Sequence, residues 1–175
     1  GIETLIYHIP NVPLQDCIAC GSCAKTGKCV FDDCVNEFAS MAKDADGFIF
    51  GTPVYYAHPT GKIQRFMDRV FYSAKSAFVH KPAAVISSSR RAGSVTSMDV
   101  LNKHLSISEM PIVTSNYWNE VHGHTPSDVE QDIEGLDTMY ALGKNMAWML
   151  KCIEAGKKAG IEIPQNTKRT TNFIR

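Results

Sequence analysis

The chain has 175 residues, of which 44% are hydrophobic and 21% are charged, and its formal net charge is zero. This length fits one domain over residues 1–175, and the apolar share is enough for a core. A chain this neutral has no basic surface for nucleic acid or for an anionic membrane. No apolar run approaches a membrane span, and the N-terminus lacks the basic and apolar regions of a secretory signal. We therefore expect a cytoplasmic protein with no nucleic-acid or membrane partner.

The predicted elements alternate between strands and helices. The predicted strands are, in chain order, Thr4–Ile9, Gly47–Gly51, Ala83–Ser87 and Pro111–Ser115. The predicted helices run from Asp32 or Asp33 to about Lys43, from Thr60 or Gly61 through Ala74, from about Val95 to about Leu105, and from about Glu134 to about Ala159. Residues 118–133 are predicted to be irregular. Such an alternation favours a parallel sheet with helices on both faces.

Apolar residues mark the predicted inner faces of two helices. In the second helix they recur at three- and four-residue steps, at Ile63, Phe66, Met67, Val70, Phe71 and Ala74. In the C-terminal helix the predicted inner residues are Leu136, Met139, Tyr140, Gly143, Met146, Ala147, Leu150 and Ile153. This spacing is typical of a helix that packs one stripe of side chains against a core.

Ligands of parallel sheets bind outside the carboxyl ends of the strands, so the segments that follow strands are the candidate sites. The first of these segments consists of Thr52, Pro53, Val54, Tyr55 and Tyr56. Pro53 pre-sets a turn, and the two tyrosines offer flat faces to a planar ring. A rim of half-buried tyrosines without a ligand explains the pattern equally well.

Two later segments are also candidates. One consists of Ser88, Ser89, Arg90, Arg91 and Gly93. Its amides and hydroxyls suit the polar edge of a ring, and its arginines suit a phosphate of the ligand or of a second nucleotide. A solvated loop is the alternative. The other holds Tyr117 and Trp118, and Trp118 suits packing against a ring or a neighbouring subunit.

Five of the six cysteines lie between residues 17 and 34. Clustered thiols in a chain with an adequate core favour metal binding or redox chemistry over a disulfide framework. The spacing Cys17-x2-Cys20-x2-Cys23-x5-Cys29 resembles the run that holds a [4Fe–4S] cluster in bacterial ferredoxins. A zinc site, a reversible disulfide and a segment without metal are the alternatives. We expect Cys34 and Cys152 to act as small apolar residues on helices.

Five segments together resemble one known family. They are CIACGSCAKTGKCVFDD, DADGFIFGTPVYYAHPTGKIQRFMDR, KPAAVISSSRRAGS, PIVTSNYWNEVHG and EGLDTMYALGKNMAWMLKCIEAGKKAGI. Over nearly its whole length the chain resembles the flavodoxin-like NADPH-dependent FMN reductase family, in particular its iron–sulfur flavoprotein branch. GTPVYY followed by a helix with a late Asp68–Arg69 pair is fairly specific, and the cysteine segment is the second specific element.

The resemblance implies a flavodoxin-like, doubly wound parallel sheet that binds FMN and is reduced by NADPH, NADH or a ferredoxin-type carrier. It implies an oxidoreductase that reduces a quinone, a flavin or another small acceptor, directly or through a [4Fe–4S] cluster, as a homodimer or homotetramer. The FMN ring would lie along Pro53–Tyr56 and Ser88–Gly93, near Tyr117 and Trp118. The cluster ligands would be Cys17, Cys20, Cys23 and Cys29. Because the flavin carries the chemistry, no catalytic side chain is expected. A non-catalytic electron carrier or redox sensor is the alternative.

The sequence departs from the family pattern at its start. The family begins with a strand, a Ser- and Asn-bearing loop that wraps the FMN phosphate, and a helix, whereas this sequence begins at the family's second strand. In the flavodoxin order the first strand is central, so its removal leaves strand edges without hydrogen-bond partners. We therefore expect an N-terminally incomplete fold that lacks the first strand, the phosphate loop and the first helix, roughly 30 residues.

Overall fold

The structure is a computed structural model that describes residues 1–171 and residue 173. Its strands are β1 (Phe48–Tyr55), β2 (His58–Pro59), β3 (Ala83–Ser89) and β4 (Glu120–His122). Its helices are α1 (Ser22–Thr26), α2 (Cys34–Met41), α3 (Gly61–Ala74), α4 (Ser94–Ile107), α5 (Pro126–Val129) and α6 (Ile133–Lys158). A 3₁₀ turn over Lys75–Ala77 follows α3. Within that part of the chain, no helix combines the length and apolar character that a bilayer crossing demands.

The described residues form one sheet with the strand order β2-β1-β3-β4. Strand β1 is parallel to β3, with Phe48 opposite Ala83 and Pro53 opposite Ser88. Strand β3 is parallel to β4, and β2 is the antiparallel arm of a hairpin with β1. The predicted α/β class with a mainly parallel sheet is therefore confirmed.

Different helices cover the two faces of the sheet. Phe48 and Phe50 of β1 point to one face and join the larger core, which α2, α3 and α4 complete. The helices contribute Val35, Ala39, Met67, Val70, Phe71, Met98, Leu101 and Leu105 to this core. On the other face, Leu142 and Met146 of α6 pack with Ala84 in a smaller core. Helices on both faces are the doubly wound arrangement that the sequence predicts.

Local sequence signals explain where α2 and α3 begin. The Thr60 hydroxyl accepts a hydrogen bond from the Ile63 amide at 3.3 Å and caps α3. The Asp33 carboxylate does the same for α2, accepting from the Val35 amide at 3.1 Å. Such caps satisfy amides that have no partner within the helix. All six residues of the predicted α3 stripe are buried, so both start sites and the stripe are confirmed.

Residues 4–9 do not form the predicted strand. A strand needs a neighbouring backbone to pair with, and this segment has no ladder partner among the described residues. Leu5 and Ile6 are 76% and 78% exposed. Tyr7 attaches the segment instead, because its ring lies 5.1 Å from that of Phe38 and its hydroxyl donates to Cys34 O at 3.3 Å. Burial and the carboxylate of Glu37 raise the pKa of Tyr7 to about 12.

Residues Pro111–Ser115 do not form the predicted strand, and the strand that pairs with β3 is β4, later in the chain. Only a single bridge joins Ile112 to Ala83, whereas β4 lies inside the region that was predicted to be irregular. Asn119 explains the shift, because its side-chain NH₂ donates to Val85 O at 3.1 Å. Its backbone carbonyl accepts from Ser87 N at 3.0 Å. These two bonds attach the polar segment to β3 just before β4.

Helix α6 buries only part of the predicted inner stripe: Met146 lies in the smaller core and Leu150 packs against it. Its buried residues are Gly135, Thr138, Leu142 and Met146, of which only Met146 was predicted. Tyr140 is 69% exposed. Apolar residues lie on more than one side of this helix, so periodicity alone did not identify the inner one. Cys152 is exposed on the same helix, against expectation, whereas Cys34 on α2 is buried as predicted.

Candidate cofactor site and cysteine segment

The first candidate segment is the end of a strand and not a free loop. Thr52, Pro53, Val54 and Tyr55 belong to β1, which continues through a tight turn into β2. Tyr56 and Ala57 form the turn with φ values of 50° and 62°. This left-handed conformation is uncommon for residues with a side chain and marks a backbone held by its surroundings.

Gly93 brings the second candidate segment against this hairpin. It has a φ of 98°, and a Cβ atom there would lie 2.7 Å from Ala57 Cα and 2.8 Å from Val54 Cγ1. Only glycine allows both the backbone angle and the close approach. The structure therefore brings the segments 52–57 and 88–93 together at the carboxyl ends of neighbouring parallel strands.

The serines of the second segment belong to β3. Ser88 lies opposite Pro53 in the ladder, and the Ser94 hydroxyl donates to Ser89 Oγ at 2.8 Å. Ser87, one residue earlier, is 1% exposed, and its Oγ has no hydrogen-bond partner among the described residues. Its side chain alternates with those of Ile86 and Ser88, so it points with Ala83 and Val85 toward the larger core. Nothing in the sequence singles out this unpaired hydroxyl.

The aromatic residues at this edge are exposed. Tyr55, Tyr56, Tyr117 and Trp118 are 65%, 103%, 60% and 57% exposed. Tyr117 and Trp118 lie beside each other, with ring centroids 6.3 Å apart. Tyr55 and Tyr56 are thus exposed and not half-buried, and their contact with a ligand stays a prediction.

Two cavities lie at or beside this edge. One of about 440 Å³ is mostly apolar and is lined by Gly51, Thr52, Pro53, Ile86, Ser87, Ser88, Val121, Val129, Leu136 and Met139. The other, of about 690 Å³, is open and is lined by Arg90, His122, Gly123, His124 and Asp128. Arg90 and Arg91 are exposed on the turn between β3 and α4. The edge thus combines an apolar hollow with a neighbouring cationic group.

Asp132 joins β4 to the start of α6. Its carboxylate accepts from the His122 amide at 2.6 Å and from the Gly135 amide at 3.0 Å. These two bonds lower the pKa of Asp132. The His122 ring lies beside the same carboxylate, with Nδ1 3.8 Å from Oδ2. Asp132 therefore holds the strand that closes the apolar cavity, a role that the sequence analysis missed.

The four candidate cluster ligands differ in how firmly they are held. All four thiols are free, with Cys17 and Cys20 exposed and Cys23 and Cys29 partly buried. The Ser22 hydroxyl lowers the pKa of Cys20 by hydrogen bonding. In residues 1–171 and 173, no three cysteine, histidine or acidic side chains are close enough together to hold a metal ion. The donor set has the number and chemistry that a cluster needs, but the thiols are not gathered around a centre.

Cys29 is fixed from two sides. Asn36 of α2 accepts from the Cys29 amide at 2.9 Å and donates to its carbonyl at 3.0 Å. Arg69 of α3 donates from Nε to Cys29 Sγ at 3.2 Å. The Arg69 side chain is wholly buried and forms a two-point ion pair with Asp33 at 2.7 and 2.9 Å. The sequence shows Arg69 only as part of a family motif, and it gives no sign that Arg69 and Asn36 contact Cys29.

Fold and site together define the class of the protein as a flavodoxin-like α/β protein with a candidate ligand site at the carboxyl edge of its sheet. The Trp repressor binding protein from Bacillus subtilis is structurally similar, with a TM-score of 0.54 over 62% of this chain and 74% of that chain, at 18% identity. RosB gives a TM-score of 0.57 over 95% of this chain and 74% of that chain, at 12% identity. At these identities the similarity shows the fold.

Sequence comparison identifies the family. Residues 1–125 match the family model described as NADPH-dependent FMN reductase. An iron–sulfur flavoprotein of Methanocaldococcus jannaschii is 30% identical over 164 residues, which are 88% of this chain and 84% of that protein. An iron–sulfur flavoprotein of Methanosarcina thermophila is 27% identical over 161 residues, 90% of this chain and 83% of that protein. The chain belongs to the NADPH-dependent FMN reductase family, in its iron–sulfur flavoprotein branch.

Membership in this family confirms the broad functional prediction. It supports a flavin oxidoreductase or an electron-transfer flavoprotein, with FMN as cofactor and a nicotinamide co-substrate. The residues at the edge are consistent with such a ligand, because a planar ring suits an apolar cavity near exposed aromatic groups.

Proposed function

We propose that this chain is an FMN-dependent oxidoreductase that takes electrons from NADPH, NADH or a ferredoxin-type carrier and delivers them to a small acceptor. Quinones, free flavins and other electron-poor compounds are the acceptor class. The observation that carries the proposal is the contact of Gly93 with Val54 and Ala57, which joins two ligand-edge segments of an FMN reductase fold. When bound, FMN supplies the two-electron and one-electron chemistry, and the protein supplies binding and orientation.

The residues of the edge have separate roles in this proposal. Thr52, Pro53–Tyr56 and Ser88–Gly93 would hold the ring, together with Tyr117 and Trp118. Arg90 and Arg91 offer positive charge to a phosphate. No side chain transfers a proton in this scheme, because none is required of the protein.

We also propose that Cys17, Cys20, Cys23 and Cys29 ligate a [4Fe–4S] cluster, and that the protein works as a homodimer or homotetramer. The support is the ferredoxin-like spacing, the four free thiols and the names of the relatives. Because the thiols lie apart in the structure, cluster binding requires residues 17–23 to move toward Cys29.

The first test is an absorption spectrum of the protein purified without oxygen, before and after dithionite, together with iron analysis. We expect two flavin bands over a broad shoulder that bleaches, with about four irons per chain for one such cluster. Flavin bands without a shoulder and without iron would support the proposed oxidoreductase and refute the proposed cluster. Zinc in place of iron would do the same. Absence of flavin after incubation with FMN would refute the proposed function itself.

The ring site can be tested with a matched pair of exposed tyrosines. Tyr55 lies at the candidate site, whereas Tyr72 lies on α3 and is 74% exposed. We expect Tyr55→Ala to weaken FMN binding by about 1 kcal/mol, roughly fivefold in Kd, and Tyr72→Ala to leave it unchanged. Equal Kd values for both variants would exclude stacking at Tyr55.

Steady-state oxidation of NADPH or NADH with a quinone separates the enzyme from an electron carrier. Many turnovers per protein support the enzyme. A single stoichiometric reduction supports the carrier or redox sensor.

A further inference from the structure

Arg69 is the most deeply buried charged side chain of the described residues, with 1% of the residue exposed. It lies on the inner side of α3, between Met67 and Val70 of the core stripe. A buried charge is costly unless it is paired and hydrogen-bonded. Its partners therefore indicate why an arginine occupies a position that a large apolar residue would otherwise fill.

Every donor group of Arg69 points to the cysteine segment or to residues that flank it. Nη1 and Nη2 bind both Asp33 oxygens, and they reach the Gln15 and Phe31 carbonyls at 3.4 and 3.3 Å. The guanidinium carbon lies 5.0 Å from the centre of the Phe31 ring. Nε donates to the sulfur of Cys29 at 3.2 Å. The ion pair with Asp33 would be complete without this last bond, so the contact with sulfur is additional to charge neutralisation.

We propose that Arg69 is the positioning residue of the cysteine segment, holding the Cys29 sulfur in place and raising the reduction potential of the metal centre that this sulfur ligates. The inference rests on the proposed cluster. Each electron that enters the centre adds one negative charge beside the guanidinium, which keeps its proton. A hydrogen bond to a ligand sulfur and a nearby cation both stabilise the more negative, reduced state.

Asp33 must act in the opposite direction on the same centre. Its carboxylate lies on the same guanidinium and adds a negative charge near Cys29. Removal of the charge while the cap is kept is possible, because asparagine caps a helix as well as aspartate does. Arg69→Lys and Asp33→Asn thus weaken one ion pair but have opposite electrostatic consequences for the centre.

Arg65 supplies the matched control. It lies one helical turn before Arg69 on α3 and pairs with Asp16, the residue before Cys17, at 2.5 Å. Its side chain is 50% exposed, so solvent screens the pair. Arg65→Lys is the same arginine-to-lysine substitution beside the same segment, but the ion-pair partner of Arg65 is Asp16 and not a cysteine sulfur.

The experiment is a redox titration of the anaerobically purified protein with dithionite, followed by electron paramagnetic resonance, with iron analysis of each variant. We expect Arg69→Lys to lower the midpoint potential and Asp33→Asn to raise it. Each shift should be on the order of a tenfold change in the one-electron equilibrium, which is 59 mV. Arg65→Lys should leave the potential unchanged. A merely structural role of Arg69 would shift both variants in one direction or neither.

The outcomes separate this inference from the proposed cluster. Iron in the unmodified protein with unchanged potentials in both variants, or with shifts of the same sign, overturns the inference and leaves the cluster standing. No iron in the unmodified protein overturns both. If Arg69→Lys does not fold, Arg69→Gln, which removes the cation, replaces it: a lower potential supports the inference and an equal or higher one refutes it.

Discussion

Replacement of Gly93 by alanine tests the contact on which the candidate cofactor site depends. Two costs add at this position. A side chain at φ 98° costs about 1–2 kcal/mol, because the left-handed region is unfavourable for L-residues. The new Cβ would lie 2.7 Å from Ala57 Cα, a backbone atom that cannot rotate away, and overpacking of this kind costs about 1–3 kcal/mol. We expect a total loss of about 3 kcal/mol in the free energy of unfolding.

Two other glycines of the chain separate these costs. Gly27 has a φ of 69°, but a Cβ there would have no atom within 4 Å, so Gly27→Ala measures the backbone cost alone. Gly61 has open space and lies in the first turn of α3 at an ordinary backbone angle. Gly61→Ala should stabilise the protein by about 0.4–1 kcal/mol, because alanine restricts the unfolded chain. The three substitutions add the same methyl group in three different environments.

Thermal unfolding followed by far-UV circular dichroism is the assay. For a domain of this size, 1 kcal/mol corresponds to about 2–4 °C in Tm, so Gly93→Ala should lower Tm by about 6–12 °C. Gly27→Ala should lower it by about 2–8 °C and Gly61→Ala should raise it slightly. A Tm for Gly93→Ala equal to or above that of Gly27→Ala would refute the close approach. FMN titration of the same proteins would then show whether only Gly93→Ala loses affinity, as expected if the two segments form one site.

Three further predictions concern the core and the pH dependence of stability. Phe78→Ala should lower the free energy of unfolding by about 3–5 kcal/mol in urea titrations, because Phe78 is fully buried and stacks on Phe71 at 4.5 Å. Burial raises the pKa of Tyr7 from 10.0 to about 12, so its contribution to stability is complete below pH 10 and is lost as the pH rises toward 12. Tyr7→Phe should therefore flatten the alkaline arm of the stability profile, and an unchanged slope would contradict this. Backbone hydrogen bonds lower the pKa of Asp132, whose contribution is present above pH 3.8 and is lost as the pH falls below it. Asp132→Asn, which keeps the cap, should reduce acid sensitivity below that pH.

Short-range signals account for the parts of the fold that were predicted correctly. A threonine or aspartate cap, an apolar stripe and an apolar strand are properties of a few neighbouring residues. The starts of α2 and α3, the α3 stripe and the body of β1 follow from them. Extension of β1 as far as Tyr55 was missed because Pro53 suggested a turn. At the end of β1, however, proline is tolerated near the hairpin.

Long-range contacts decide the parts that were predicted wrongly. The segment 118–122 is too polar to suggest a strand, and it becomes one because Asn119 bonds to Val85, 34 residues earlier. Residues 4–9 have the composition of a strand, yet strand formation requires a paired backbone. At the start of α6, Asp132 accepts from the His122 amide, ten residues earlier, and so connects the helix to β4. None of these partners is adjacent in sequence, so no local pattern contains them.

In the cysteine segment, too, contacts between residues that are distant in sequence could not be predicted from the local pattern. The spacing of Cys17, Cys20, Cys23 and Cys29 suggests four equivalent ligands, but the structure makes them unequal. Cys29 is held by Asn36 and Arg69, whereas the five-residue α1, which contains Cys23, buries none of its residues. Movement of residues 17–23 toward Cys29 would therefore break few buried contacts, while movement of Cys29 would break a buried ion-pair network. Metal binding to such a site is coupled to ordering of the mobile ligands around the fixed one. In the proposed cluster site, one ligand and its electrostatic environment would thus be set in advance, and the metal would gather the other three.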